Sequence, residues 1–235
     1  MSIKWTYRSF LKTFFLWVMI PLCIGLGIVL FKNRNYRIIS LLMASFSCIP
    51  FFLKYERKKP QARELVFVSI LCACSVVSRV IFYPLPGFKP IAALTIICGL
   101  AFGKEAGFMN GALSALISNL FFGQGPWMPF QMISWGIIGY LAGVLQDHKL
   151  FEHKIFLYLY GIFAAVLFSL IMDIYSSMAV DNVFNLSRYI AVSISSLPSI
   201  VVYMVANVVF LWLLVKPMMK KLNRIKMKYG IIDEA

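Results

Sequence analysis

Long apolar runs, broken by short polar clusters, organise this chain from end to end. The runs stay apolar for about 20 residues at a time instead of alternating, which is the pattern of membrane-spanning helices and not of barrel strands. Eight helices are predicted: Leu11 to Phe31, Arg37 to Leu53, Glu64 to Tyr83, Ile91 to Gly103, Glu105 to Phe122, Trp127 to Leu145, Lys154 to Ala179 and Arg188 to Val215. KYERKKPQAR (Lys54 to Arg63) is the strongest charge break and separates the first two helices from the other six. The expected organisation is therefore an N-terminal pair with its basic linker at 1–63, a six-helix core at 64–216 and a basic tail at 217–235. Ile91 to Gly103 is short for a span, whereas the runs from Lys154 and Arg188 are long enough to tilt or project.

Basic residues assign the sides. An even number of spans puts both termini on one face. That face collects most of the 23 Lys and Arg residues: Lys4, Arg8 and Lys12, the Lys54 to Arg63 linker, Lys104, Lys149, Lys154 and the run from Lys216 to Lys228. The positive-inside rule makes it cytoplasmic. Lys32, Arg34 and Arg37 are the exception, in the first outside loop. Three connectors then face outwards, PLPGFKP (Pro84 to Pro90), Gly123 to Pro126 and VDNVFNLS (Val180 to Ser187), and they are the elaborate ones. Structured loops gathered on one face point to a ligand site there.

Composition agrees with a membrane protein. Of 235 residues, 61% are hydrophobic and 14% charged, and the mean hydropathy is +0.82. A formal charge of +14 would suit nucleic acid in a soluble protein, but here it marks the cytoplasmic side and nearby anionic lipid, so no nucleic-acid partner is expected. The five cysteines lie inside apolar runs and behave as small hydrophobes rather than a disulfide framework or a metal site. The basic N-terminus precedes a long run without a clear cleavage site, which predicts a retained helix.

Small residues recur at four-residue spacing: Gly99, Gly103, Gly107 and Gly111, continued by Ala115 and Asn119, and again Gly139 and Gly143. Such stripes let helix backbones approach closely in lipid; they serve either packing within the bundle or a smooth surface on which helices slide or a partner docks. Ser69 and Ala73 form a similar pair in the first core helix. Arg79 and Asp173 are the deepest ionisable residues, and counting about 1.5 Å per residue puts both in the outer part of the membrane. They form an ion pair or face a ligand. The candidate substrate-binding set at that outer level is Arg79, Lys89, Asn119, Gln124, Trp127, Gln131, Asp173, Tyr175 and Asn182, with Asp181 and Asn185 nearby. This is a polar, nearly neutral set, with Trp127, Phe130 and Tyr175 as rings on which an organic ligand stacks.

Enzyme patterns fail on inspection. GLAFGKE (Gly99 to Glu105) is one residue too short for a phosphate-binding loop and has Glu105 where Ser or Thr would hold magnesium. His148 and His153 have the wrong spacing for a metal pair on one helix face. With no nucleophile elbow or HExxH, neither catalysis nor a metal or other cofactor is expected.

From Glu64 to Val215 the order of features resembles the substrate-binding S component of an energy-coupling factor (ECF) transporter. The resemblance is carried by SILCA (Ser69 to Ala73), PLPGFKP, the hairpin CGLAFGKEAGFMNGALSALISNLFFG (Cys98 to Gly123) and GPWMPFQMISWGIIGYLAGVL (Gly125 to Leu145). It implies a six-helix bundle holding a vitamin-sized ligand near the outer face under mobile loops. It also implies partners: a transmembrane coupling subunit and two ATP-binding-cassette ATPases, with toppling in the membrane to release the ligand inside. Ser69 and Ala73 match the family's small-residue pair facing the coupling subunit, although Ser69 stands where the family usually has Ala. The first two helices are extra to the family's core. Within the family, GQGPWMPFQM resembles most the branch associated with cobalamin and related corrinoids, and less specifically carriers of queuosine precursors and other vitamins.

Two rival readings make different predictions. A stand-alone secondary transporter requires ion-coupled uptake by this chain alone, an internal repeat and charged midplane residues, and neither a convincing repeat nor enough deep charges is present. An assembly factor would use its loops against another protein and would carry no vitamin when purified.

Overall fold

The computed structural model describes residues 62–146, 153–181 and 184–229, with Ile49, Phe52, Leu53 and Tyr55 besides. The predicted spans Leu11 to Phe31 and Arg37 to Leu53 fall outside the described residues, except for three positions at the end of the second. Among the described residues the protein is all helical, with seven helices and no strand. Three of these described helices are long and apolar enough to cross a membrane.

The first of these, α1 (Ala62–Ile81), carries Glu64 in its first turn and Arg79 in its last, charges that complement the helix dipole at each end. Three prolines then keep residues 84–90 out of helix until α2 (Ile91–Phe102) begins. At 12 residues α2 spans about 18 Å, too short to cross about 30 Å of hydrocarbon. All of it but Leu100 is buried, so it is a core strut wrapped by the other helices. Gly103, at φ 91° and ψ 177°, is the whole connection to α3 (Lys104–Phe122). Only glycine takes that backbone conformation without strain, and its N–H still closes α2 on the Gly99 carbonyl. The result is a one-residue hairpin.

Helix α3 pairs most extensively with α4 (Met128–Val144). Glycine makes this possible. A Cβ on Gly107 would overlap the Gly139 carbonyl, one on Gly139 the Gly107 carbonyl, and one on Gly111 the Trp135 backbone. Gly99 and Gly143 face the same seam, Gly99 against Gly139 and Gly143 against the Gly103–Lys104 turn. On its other side α3 presents polar residues at every turn. Asn110 Nδ2 donates to Thr95 Oγ1 (3.4 Å) and Ser114 Oγ to Cys72 Sγ (3.5 Å). Such interhelical bonds hold α3 to α2 and α1 where apolar attraction is absent in lipid.

Helix α5 (Lys154–Asp181) and α7 (Leu197–Tyr229) run antiparallel and complete the bundle. The sequence predicted a single span from Arg188 to Val215, and the structure divides it. A short helix α6 (Leu186–Ser195), with Asn185 as its N-cap, stops at Ser196, and α7 starts at Leu197. Pro198 has no N–H to continue the α6 ladder, and the Ser196 hydroxyl donates instead to Asp173 of α5 (2.9 Å). No residue of α6 is buried. At its other end α7 continues as helix through Pro217 to Tyr229, into the segment expected to be only a tail. Met218, Met219 and Leu222 there pack into a second core cluster with Val68 and Leu71 of α1 and Ile97 and Phe102 of α2.

Candidate functional site

A cleft opens at the end of the bundle that carries the 82–90 connector. Its walls follow from helical spacing. Gln131 and Trp135 of α4, Ala164 and Phe168 of α5, and Tyr203 and Asn207 of α7 are each four residues apart, hence on one face of their helix. Ala165, Ile91 and Ala92 complete the apolar part, while Arg79 of α1 and Lys89 of the connector supply charge. Gly87, at φ 75°, lets the connector fold down onto Val202 and Tyr203.

Arg79 is the best-anchored of these groups. Its guanidinium donates to Ser118 Oγ (2.5 Å) and Asn119 Oδ1 (3.0 Å). It also lies 4.9 Å from the Phe122 ring centre and 5.3 Å from that of Trp135. Asn119 Nδ2 passes the connection to Gln131 Oε1 (2.9 Å). A guanidinium in a membrane span is costly; here neutral hydrogen-bond acceptors and two aromatic faces offset that cost, and part of the group is left facing the cleft. Lys89 Nζ lies 5.9 Å from the centre of the same Phe122 ring. Burial lowers the Lys89 pKa below the ordinary lysine value, and the Arg79 charge lowers it further.

The aromatic wall is continuous. Trp135 stacks on Phe168 at 5.4 Å with 11° between ring planes, and Phe168 meets Tyr203 edge-on at 5.5 Å. Asn207 Nδ2 donates to the Gly161 carbonyl (2.9 Å), which fixes its amide and ties α7 to α5.

A family model described as "ECF-type riboflavin transporter, S component" matches residues 59–223, more than two thirds of the chain. The chain belongs to this family. No curated protein and no solved structure matches it. As an S component it is a vitamin-binding subunit of an ECF importer in the plasma membrane, and its partners are the transmembrane and ATPase modules of that importer. The S components are not a class of enzymes.

The sequence-predicted residues of this S component do not all come together. Arg79, Lys89 and Gln131 line the cleft, and Asn119 stands behind them, joining Arg79 to Gln131. Trp127, Phe130 and Tyr175 gather into a second aromatic cluster, with Tyr175 at 6.4 Å from Trp127 and 5.6 Å from Phe130, outside the cleft lining. The Trp127 indole packs on Gly125, where any Cβ would overlap it. Gln124 is exposed in the 123–127 connector, and Asn182 lies outside the described residues.

Asp173 is buried and accepts the Ser196 bond at the α6–α7 corner; it neither lines the cleft nor pairs with Arg79. Arg79 and Lys89 face the cleft, and among the described residues no carboxylate lines it. Ser69 and Ala73 are exposed on α1. Trp135, Phe168, Tyr203 and Asn207 are lining residues that the sequence reading missed. For Asn207 a signal existed, as an amide in the middle of a long apolar run.

Proposed function

We propose that this S component captures a flavin, riboflavin in the simplest case, in the cleft between Arg79, Trp135 and Tyr203. The carrying observation is the lining itself, two cations and two amides in an aromatic and alanine-walled slot. A flavin ring system has one edge rich in carbonyl and ring-nitrogen acceptors and one apolar, methyl-bearing edge. Arg79, Lys89 and Gln131 suit the first, and Ala164, Ala165 and Phe168 suit the second. The family's description, which names riboflavin, supports the same choice. The corrinoid reading of GQGPWMPFQM has less support, because Gln124 and Trp127 of that stretch stand off the cleft.

In this reading the cleft end faces outwards, both termini are cytoplasmic, and the exposed Ser69–Ala73 step of α1 meets the coupling subunit, which works with two ATPases. The test is purification followed by absorbance and mass spectrometry of any bound compound, then titration of Trp fluorescence with riboflavin and with cobalamin. Trp135 in the cleft wall makes flavin binding visible as quenching. Cobalamin binding without flavin binding would reverse the choice of ligand. Vitamin uptake by this chain without an ECF module would instead favour the secondary-transporter reading.

A further inference from the structure

We propose that the C-terminal third of α7 is a fixed binding surface for the headgroups of anionic phospholipids. Helix α7 has 33 residues, about 50 Å at 1.5 Å per residue, against about 30 Å of hydrocarbon. Its exposed surface turns from apolar to mostly basic after Leu213, although Met227 there is exposed too. Val201, Val205, Trp212 and Leu213 are exposed and apolar; then Lys216, Lys220, Lys221, Arg224 and Lys228 are exposed and basic. No Asp or Glu occurs anywhere in α7.

Two observations place that change at headgroup level. Trp212, 64% exposed, sits one turn before Lys216 on the same face, where an indole bridges hydrocarbon and headgroups. On the neighbouring helix, Gly161 of α5 packs on Leu211 of α7. Counting outward along the antiparallel pair from that contact sets Lys154 beside Met218. Lys154 too is exposed and is followed at once by the exposed apolar Ile155 and Phe156.

The segment is also held rather than loose. Leu222 is buried against α1 and α2, the Arg63 guanidinium donates to the Tyr229 carbonyl (2.9 Å), and the Tyr229 ring packs on Phe67. Its basic side chains are thus displayed from a rigid backbone, so little ordering entropy opposes binding. An acidic protein would also be attracted by this stripe, but the Trp212–Lys216 step and Lys154 mark the same level on two neighbouring helices, the level where headgroups lie. A basic cluster directly after a spanning helix is the pattern that anionic lipid recognises.

The full chain is placed in nanodiscs of phosphatidylcholine with and without phosphatidylglycerol, and lipid retention by native mass spectrometry is read beside the melting temperature. Phosphatidylglycerol should be retained selectively and raise the melting temperature, with the gain shrinking at high salt. The triple variant Lys220→Gln, Lys221→Gln, Arg224→Gln should elute and melt as a folded monomer in phosphatidylcholine, yet lose retention roughly fivefold per charge removed. Equal behaviour in the two lipids overturns the proposal, and so does unchanged phosphatidylglycerol retention in the triple variant. If that variant keeps its lipid but no longer assembles with the coupling module, the occupant is an acidic protein instead.

Discussion

Arg79 and Lys89 illustrate how a cation is kept in a membrane protein for use and not for stability. Arg79 is held by Ser118, Asn119 and two rings, an arrangement that fixes its direction without neutralising it. Hydrogen bonds to charged groups contribute about 1.5–3 kcal/mol, so Arg79→Gln should weaken flavin binding by roughly 10- to 150-fold, read by fluorescence titration; an unchanged affinity removes Arg79 from the site. Lys89 makes the complementary case. Its folded-state pKa lies below the ordinary lysine value, so the cost of burying its charge is present in full at neutral pH and is relieved as pH rises from that lowered pKa towards 10.5. Lys89→Met should therefore melt higher than wild type at neutral pH without ligand, bind flavin more weakly, and lack the wild-type gain in stability at alkaline pH. Melting curves across pH check the sign. Both residues were legible in the sequence because a charge stands out in apolar surroundings. Trp135, Phe168 and Tyr203 were not, since an aromatic residue in an apolar helix looks the same whether it faces lipid, core or ligand.

Glycine does most of the organising among the elements. Gly107 and Gly139 bring α3 and α4 together backbone to backbone, and the atoms that an added methyl would strike are main-chain carbonyls that cannot turn aside. Gly161 differs, because its added Cβ would meet only the end of the Leu211 side chain at 2.6 Å. Gly107→Ala is accordingly expected to cost about 1–3 kcal/mol or more and to lower the melting temperature well below that of Gly161→Ala, where Leu211 can change rotamer. Equal losses would mean that the α3–α4 seam has room the packing does not suggest. The four-residue glycine spacing and the helix limits were readable from the sequence, the limits to within two residues for α1 to α5. The break at Ser196 was not. It depends on Pro198 acting together with a hydrogen bond to Asp173, a residue 23 positions earlier, and no local pattern encodes that pairing.

Across the whole molecule, α1 carries both ends of the proposed function. Near its C-terminus Arg79 faces the cleft, and nearer its N-terminus Ser69 and Ala73 lie in an exposed strip among Leu65, Val66, Ile70 and Val77. Charge is absent from that strip, and its two smallest residues stand four apart, which lets another helix approach to backbone distance. Larger side chains there would hold such a helix off while remaining compatible with lipid. Ser69→Leu with Ala73→Leu should therefore leave the fold and flavin titration as in wild type, because neither position is buried. The same variant should fail to co-purify with the coupling subunit and should lose vitamin uptake in cells expressing the complete importer. Loss of flavin binding together with assembly would mean that the strip supports the cleft from within the bundle. Normal assembly would move the docking surface away from this face of α1, leaving the cleft and its ligand unaffected.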